Sequence, residues 1–478
     1  MSAHHTEPHE DAEKLSIHMI RSVGSGRSSH EFREDRDAVG HASSQGDDES
    51  ISRPSTDLKR TASNVLSKVA SRLTTRSIPE PPPPPDGGLH AWTQVACGWI
   101  VILCTWGAVN SFGVFQTYYT VSLKLDPSTV SWIGSVQNFL TFFIGALSGR
   151  LLDAGYFTPC FLVGSIIQVV GIFCMSLSTK YWQLMLSQGV MSGIGGGIIF
   201  TPAMGLVGSY FSKKRALAIG LATTGNSVGG MVYPVMVQQL LPKIGFAWTA
   251  RCLGFFNLAM LCIAIAFMRP RLPPRKSGPY VDLSAFKEPT YAFLIAGLFF
   301  AFWAVYWTYY YLSPYGVDVI GMPFSAAATI TIVLNGAGLP FRILPPLLAD
   351  RYGPLNVMAP VMFLLTVVAF CFLPVKTPAG LYTYAVVYGC ASSAFQCIVP
   401  STVASITTDM TKFGTRLGMA FGTLSFAALT GPPIGGALQI QGGYVGAILW
   451  AAASTMICAG LVLASRITRM GWHFRSKT

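Results

Sequence analysis

Charged residues are scarce in this chain, and carboxylates are nearly missing from most of it. Asp, Glu, Lys and Arg make up 11% of the 478 residues, and hydrophobic residues make up 51%. An average soluble domain carries about 25% charged residues. Two-thirds of the 21 acidic residues lie in residues 1–86, so only seven remain in residues 87–478. So long a segment with so few charges cannot present a wetted surface, and we expect most of its exterior to face lipid.

Several sequence signatures are also missing, and each absence excludes a class of protein. None of the ten cysteines forms a CxxC pair, so neither a zinc site nor a redox pair is expected. No GxxxxGK[ST] motif occurs, which excludes ATP as the energy source. Outside residues 1–86 the only histidines are His90 and His473, whereas a membrane-embedded enzyme would need intramembrane acids or histidines. We therefore expect no enzyme activity, no cofactor and no metal.

Residues 1–86 differ in composition from the rest and are predicted to form a disordered cytoplasmic tail. They are rich in Ser, His and charged residues and have no apolar periodicity before Leu58. Leu58–Leu73 is predicted either to lie on the inner leaflet as an amphipathic helix or to remain solvated. Arg60–Ser63 matches a kinase site, so kinase regulation of the tail is a hypothesis. Pro81–Pro85 is predicted to be a stiff polyproline spacer of about 15 Å.

Twelve apolar segments follow the tail, and each is long enough to cross a bilayer as a helix. They define spans 1 to 12, at residues 94–119, 129–152, 159–178, 182–207, 216–241, 247–268, 290–312, 325–348, 356–373, 381–403, 416–439 and 444–466. The longest connection, residues 269–289, divides the body into an N-terminal half, 87–268, and a C-terminal half, 290–467. Residues 468–478 form a second cytoplasmic tail.

Lys and Arg are distributed unevenly between the two sets of connections. Sixteen of them fall in connections and ends predicted to be cytoplasmic, and four fall in the outer connections. This positive-inside asymmetry predicts a multi-pass protein with both termini in the cytoplasm, and we expect it in the plasma membrane. The net charge of +12 does not indicate a nucleic-acid partner, because the basic residues sit in short clusters between apolar runs. The expected partners are the lipid bilayer and a small-molecule substrate.

The two halves of the body repeat at a nearly constant offset. Asp153 and Asp350 both follow an even-numbered span, 197 residues apart, and Arg215 and Arg416 open spans 5 and 11, 201 residues apart. Such a repeat predicts two parallel six-helix halves, which is the plan of the major facilitator transporters. The predicted fold is therefore an all-α membrane protein with twelve transmembrane helices in two halves, preceded by a disordered tail.

Three motifs resemble one family within that superfamily. DGGLHAW (86–92) followed by WGAVNSFGVFQTYY (106–119) resembles the start of the monocarboxylate-porter family, especially its fungal branch. YFSKKRALAIGLATTGNSVGG (210–230) resembles the same family's loop 4–5 and span 5. The resemblance covers about residues 86–467. It implies a secondary transporter working by alternating access, with substrates among small carboxylates, riboflavin-like vitamins and secondary metabolites.

The resemblance also implies a gate at the cytoplasmic ends of the helices. LADRYGPLN (348–356) is similar to the superfamily's gate motif, and GRLLDAG (149–155) is a degenerate copy of it. The gating candidates are Asp153, Arg215, Asp350 and Arg351, whose charges could pair when the inner gate closes. The alternative is that these residues form simple turns and a topology signal.

Arg342 is the leading candidate for substrate binding. It lies in span 8, eight residues before Asp350 and so about 12 Å from the inner end of a continuous helix. A charge at that depth costs several kcal/mol unless it faces a cavity or a partner. It would anchor an anionic or carbonyl-rich substrate, or else it is a packing arginine satisfied by backbone carbonyls or by snorkelling.

The chain departs from the family at two functional positions. The family has an aspartate one turn before the arginine, where this chain has Gly338, and its mammalian members have a lysine in span 1, where this chain has Asn110. Proton coupling of the mammalian kind is therefore not expected, although Asp153 or Asp350 could titrate.

Aromatic and polar residues within the spans complete the predicted site. Trp303, Tyr306, Trp307 and Tyr310 share one helical stripe of span 7, which faces either lipid or a cavity where it would stack on a planar substrate. Polar residues in apolar spans are costly to leave unpaired, and they form cavity contacts or interhelix hydrogen bonds. The predicted substrate-binding residues are Arg342, Asn110, Gln116, Trp303, Tyr306, Tyr310, Asn335 and Gln396.

The leading functional prediction is export of a secondary metabolite, either an organic anion or an aromatic, oxygenated small molecule. The first alternative is uptake of a monocarboxylate or a riboflavin-like vitamin. The second is a non-transporting membrane sensor that uses the N-terminal tail as its output module.

Overall fold

The computed structural model describes residues 84–212, 214–271, 281–408 and 412–471. The predicted tail segment 58–73 and its kinase site lie outside these ranges, as do most of the polyproline spacer and of the C-terminal tail. Within the described ranges every regular element is a helix. A helix satisfies its own backbone hydrogen bonds, as the interior of a bilayer requires. The all-α prediction is confirmed.

The helices begin and end within a few residues of the predicted spans. They are Leu89–Asn110 with Phe112–Leu123 for span 1, Pro127–Asp153 for span 2, Phe157–Met175 for span 3, Tyr181–Leu184, Met185–Met191 and Ser192–Ser209 for span 4, Arg215–Phe267 for spans 5 and 6, Pro289–Asp318 for span 7, Phe324–Gly338, Pro340–Arg342 and Leu344–Tyr352 for span 8, Pro354–Phe370 for span 9, Pro378–Ile406 for span 10, and Phe413–Met470 for spans 11 and 12.

Two of these helices each contain two membrane passages. Arg215–Phe267 is interrupted at Gly245, whose φ of 72° lies in the left-handed region that glycine tolerates. Phe413–Met470 is interrupted at Gly442 and Gly443, and Gly443 has a φ of 66° in the same region. Span 8 is a pair of helices joined by a bend of 47°. With these divisions the described residues form twelve spans in two sets of six, as predicted.

The two halves meet along a seam formed by spans 1, 2 and 5 of one half and spans 7, 8 and 11 of the other. The Ser128 hydroxyl donates to the carbonyl of Pro433 at 2.9 Å, joining spans 2 and 11. The Tyr310 hydroxyl donates to the carbonyl of Gly134 at 3.0 Å, joining spans 7 and 2. Span 5 meets span 8 through Gln238, whose amide donates to the carbonyl of Ser325 at 2.8 Å.

We call the end of the bundle where Leu89, Arg215, Pro289 and Phe413 begin their helices the basic face, and the other end the opposite face. At the basic face the Asp-Gly-Gly sequence fastens span 1 to span 4. The Asp86 amide donates to the carbonyl of Tyr210 at 3.2 Å, and its carboxylate accepts from the Ser212 amide at 2.5 Å. This sequence therefore serves as a structural anchor where the chain enters the bundle.

In the C-terminal half, a charge cluster performs the equivalent role. The Arg416 guanidinium donates to both carboxylate oxygens of Glu288, at 2.9 and 2.5 Å, in the bidentate geometry that strengthens such pairs. Its Nε lies 3.5 Å from Oδ2 of Asp282, and the Lys412 ammonium lies 3.6 Å from the same oxygen. Residues just before span 7 are thereby held against the start of span 11.

Acid is expected to weaken this cluster. The Ser284 hydroxyl bound to Asp282, together with the charges of Lys412 and Arg416, holds the pKa of the Asp282 carboxyl below its ordinary value of 3.8, although burial opposes the shift. The stabilisation is therefore complete above pH 3.8 and is lost as pH falls through the lower folded pKa. The thermal midpoint of Asp282→Asn should lie below that of wild type at neutral pH, and the gap should close in acid. A difference between the two thermal midpoints that stays constant as the pH falls below 3.8 would contradict this prediction.

Candidate functional site

The candidate site begins at the break in span 8. Pro340 has no amide hydrogen to donate to the preceding turn, which weakens the helix at this point, and Pro340–Arg342 form a short 3-10 turn between the two helices of span 8. The predicted continuous helix, with Arg342 about 12 Å from its end, is wrong in this respect because of that turn. Discontinuous helices at mid-membrane depth are typical of transporter binding sites, since they bring backbone polar groups and side chains to a cavity.

The Arg342 side chain is buried, with 3% of its surface exposed, and it points across the seam to span 5. Its Nε donates to the Ser227 hydroxyl at 2.8 Å. A guanidinium can only donate, so the Asn226 atom that faces it must be the amide oxygen. In that orientation this oxygen lies 2.8 Å from Nη2 and 3.2 Å from Nη1. Three of the five N–H donors of Arg342 are therefore directed at two neutral side chains.

Asn226 extends this contact to span 1. With its oxygen toward Arg342, its amide nitrogen donates to the carbonyl of Trp106 at 3.2 Å and lies 2.7 Å from the Asn110 amide. The Asn110 oxygen completes that bond when its own amide is turned to match. Arg342, Asn226 and Asn110 thus form a polar relay, which we call the amide relay, and it joins span 8 of one half to spans 5 and 1 of the other.

No carboxylate pairs with Arg342 among the residues that the structure describes. The ion pairs of Asp282 and Glu288 lie at the basic face, with Lys412 and Arg416 as their partners. The titratable groups that face the guanidinium are the Tyr306 and Tyr309 hydroxyls of span 7 and the Cys397 thiol of span 10. The site therefore presents a buried positive charge among neutral groups.

The predicted aromatic stripe of span 7 is divided between two environments. Tyr306 faces the N-terminal half, with its ring 6.4 Å from that of Phe142, and Tyr310 lies 4.8 Å from Phe112. Trp303 points the other way, donating from Nε1 to the Thr430 hydroxyl at 2.8 Å. Trp307 stacks on Tyr311 at 5.7 Å inside its own half. The structure brings Tyr306 toward Arg342, places Tyr310 against span 2 and Phe112, and turns the two tryptophans away, because the stripe is wider than one contact surface.

Within the described part of the chain, several buried polar atoms at the seam have no hydrogen-bond partner. Asn138 of span 2 lies against the hydroxyls of Tyr306 and Tyr310, yet neither of its amide atoms makes a bond of acceptable geometry. The Asn335 oxygen of span 8 is also unpaired, and so is the Gln396 nitrogen on neighbouring span 10. An unsatisfied buried polar group costs about 1–3 kcal/mol. Such groups gathered on both sides of a seam are suited to a polar ligand that could pair with them.

The other predicted polar residues lie at different depths, with Asn335 and Gln116 on spans of the seam and Gln396 on span 10. Asn335 donates to the carbonyl of Thr331 at 2.9 Å and packs against Gly230, one turn beyond Ser227. Gln116 lies nearer the opposite face, beside the Tyr311 hydroxyl, and Gln396 adjoins Cys397 on span 10. The predicted residues that the structure places together are Arg342, Asn110 and Tyr306, with Asn335 adjacent.

Packing against span 10 explains why position 338 is a glycine in this chain. At Gly338 a Cβ atom would lie 2.1 Å from the Ser393 hydroxyl oxygen and 2.9 Å from the carbonyl of Gly389. Both distances are too short for any side chain, so an aspartate does not fit there in this arrangement.

The gating candidates lie at the ends of their helices at the basic face. Asp153 is the last residue of the span 2 helix, and its side chain is outside the described part of the chain. Arg215 opens span 5 and packs against Gly208, Asp350 is exposed near the end of span 8, and Arg351 lies over the Tyr352 ring at 5.5 Å. Their role in a gate stays a prediction.

Two residues around Arg342 were missed as site residues. Neither Asn226 nor Ser227 was among the predicted substrate-binding residues. The sequence did contain a signal for them, since Asn226 and Ser227 are adjacent in TTGNSVGG. Two polar residues in the middle of an apolar span seldom both face lipid.

Twelve spans in two halves, with a polar charged site at the seam, define a membrane transporter. The family model for the Major Facilitator Superfamily matches residues 98–408. The chain belongs to that superfamily and is not an enzyme. Its resemblance to the monocarboxylate-porter branch stays a prediction.

Curated relatives are similar over most of their length. An MFS-type transporter of Gibberella zeae is 42% identical over 81% of this chain and 89% of its own. The aspyridones efflux protein of Emericella nidulans is 33% identical over 84% of this chain and 82% of its own. The agnestins efflux protein of Paecilomyces divaricatus is 34% identical over 81% of this chain and 89% of its own. A crystal structure of a mutant of the nucleoside transporter NupG has the same fold, with a TM-score of 0.60 and 15% identity over 79% of this chain and 99% of its own.

Proposed function

We propose that the protein exports an organic anion or an aromatic, oxygenated small molecule across the plasma membrane by alternating access. The observation that carries this proposal is the Arg342 guanidinium, which is buried at a helix break and, among the described residues, faces neutral groups. A buried cation without a counter-charge favours an anionic ligand, because the ligand supplies the charge that the protein lacks.

The surroundings of Arg342 favour an aromatic and oxygenated compound over a small aliphatic acid. The hydroxyls of Tyr306 and Tyr309 and the amide of Asn138 offer hydrogen bonds, and the tyrosine rings offer surfaces for stacking. Transporter sites of this kind lie where two halves meet, so that rocking of the halves exposes the site to one side at a time. We assign Asp153, Arg215, Asp350 and Arg351 to the gate at the basic face, which we place in the cytoplasm.

The relatives support export as the direction. Two of them are named as efflux proteins, for aspyridones and for agnestins, and each aligns with more than four-fifths of this chain. Export of a secondary metabolite is therefore the favoured function. Uptake of a monocarboxylate or of a riboflavin-like vitamin uses the same anchor and is the second candidate.

Flux measurements with the full-length chain in proteoliposomes test the proposal. The compounds are lactate, riboflavin, salicylate and a polycyclic aromatic acid, each measured with and without an imposed proton gradient. We expect flux of the aromatic anions, and preloaded cells that make the protein should lose these compounds faster than control cells. Lactate flux that depends on the gradient would favour the monocarboxylate carrier instead. No flux of any compound would favour the sensor.

A further inference from the structure

We propose that Asn226 determines the charge of the transported compound, because its amide oxygen competes with an oxyanion of the substrate for Arg342. The inference rests on the proposed function, since it takes Arg342 as the substrate anchor. It assigns to span 5 a specificity-determining residue and to the substrate a planar oxyanion, such as a carboxylate or an acidic enol.

The geometry of the guanidinium supports such a competition. Both terminal nitrogens of Arg342 face the single Asn226 oxygen, at 2.8 and 3.2 Å. A planar anion with two oxygens could engage both nitrogens at once, and charge-assisted bonds of this bidentate kind are about twice as strong as neutral ones. An oxyanion should therefore displace the amide, whereas a neutral amide or ester of the same shape has no such advantage.

Displacing Asn226 also affects the contact between the halves. With its oxygen toward Arg342, its nitrogen donates to the Trp106 carbonyl and lies 2.7 Å from the Asn110 amide, both on span 1. When the substrate takes over the guanidinium, span 8 loses its link through Asn226 to spans 5 and 1 and keeps the bond from Nε to Ser227. Binding of an anion is thereby coupled to loosening of the seam on which alternating access depends.

A neutral residue at position 226 matters because a carboxylate there would be a permanent competitor. It would pair with Arg342 and would have to be protonated before an anionic substrate could bind. The titratable groups that face the guanidinium are the hydroxyls of Tyr306 and Tyr309 and the thiol of Cys397, and none of them is a carboxylate. The wild-type site should therefore bind an anion without taking up a proton.

The test uses the purified full-length chain in nanodiscs, with benzoate as the anionic probe and benzamide as its neutral isostere. Asn226→Ala removes the competing oxygen and should tighten benzoate binding about five- to tenfold, the equivalent of one hydrogen bond. Asn226→Asp should weaken it about 30-fold or more near pH 8, with recovery as pH is lowered toward about 5. Benzamide binding should change little in either variant.

Matched variants separate this inference from local damage. Gln238→Ala removes another amide contact between spans 5 and 8, near the opposite face, and should leave benzoate affinity unchanged. Asn226→Ser keeps a smaller acceptor, and its affinity should lie between wild type and Asn226→Ala; it also serves if the alanine variant does not fold.

Different outcomes overturn different parts of the account. Equal benzoate affinities in wild type, Asn226→Ala and Asn226→Asp would overturn the role of Asn226 while leaving Arg342 as an anchor. Undiminished benzoate binding in Arg342→Gln would overturn the proposed function instead. Failure of the wild type to bind benzoate, or equal binding of benzoate and benzamide, would contradict the assignment of an aromatic oxyanion as substrate.

Discussion

Arg342→Gln is expected to abolish transport of aromatic anions, with flux falling about 100-fold or more. The substitution keeps a polar side chain but removes the positive charge and the paired donors. Two charge-assisted hydrogen bonds of about 1.5–3 kcal/mol each are enough for a loss of this size. Arg342→Lys keeps the charge without the bidentate geometry and should retain a small part of the flux. The measurement is the uptake of salicylate into proteoliposomes that contain wild type, Arg342→Gln or Arg342→Lys.

Arg251→Gln provides the matched control for this prediction. Arg251 is also an arginine within a span, but it lies over the Trp248 ring at 4.7 Å, near the opposite face and away from Arg342. Its substitution should leave salicylate flux within about a factor of two, since such a contact near the surface is worth about 0.5–1 kcal/mol at most. Equal losses in the two variants would show that flux depends on arginine-mediated folding and not on an anchor.

Gly229→Leu is expected to prevent assembly of the N-terminal half. A Cβ atom at Gly229 would lie 2.6 Å from Cα of Gly107 and 2.6 Å from the carbonyl oxygen of Leu103, so spans 1 and 5 touch through their backbones. Overpacking such a contact should cost about 3 kcal/mol or more. The variant should lose its monodisperse peak in size-exclusion chromatography and unfold at a much lower temperature.

Gly460→Leu is the control for this prediction, because no atom lies within 4 Å of the Cβ position at Gly460. It should behave as wild type in both measurements. Comparable stability of the two leucine variants would contradict the close contact of spans 1 and 5. That contact also bears on the site, since Gly225 directly precedes Asn226 and Gly229 follows it by about one turn, and together they hold span 5 against span 1 at this level.

The fold was predictable from the sequence because hydrophobic length and charge distribution report directly on the bilayer. The repeat at 197–201 residues defined the two halves, and all twelve spans appear close to their predicted bounds. The break in span 8 was harder to predict from the sequence. Pro340 was an available signal of a disturbed helix that the prediction did not use, and the 47° bend and the packing of Gly338 against span 10 appear only in the structure.

The candidate site was predictable in part. Arg342 and Asn110 stand out because polar residues are expensive in apolar spans, and the structure joins them through Asn226. Asn226 lies 116 positions from both Asn110 and Arg342 in the sequence, so no local sequence pattern predicts these contacts. Trp303 was grouped with Tyr306 on helical spacing alone, and spacing cannot tell which part of a wide stripe meets the other half of the protein.

The central claim is that Arg342 binds the transported organic anion at a site that has no carboxylate partner among the described residues. A measurement of the electrical current carried by transport tests this claim most directly. Proteoliposomes on a solid-supported membrane would be exposed to a jump in the concentration of the best-transported aromatic anion. The account predicts a current that carries net negative charge with the substrate, persists without a proton gradient and disappears in Arg342→Gln. Electroneutral transport that moves one proton with each anion, or a current that survives in Arg342→Gln, would contradict it.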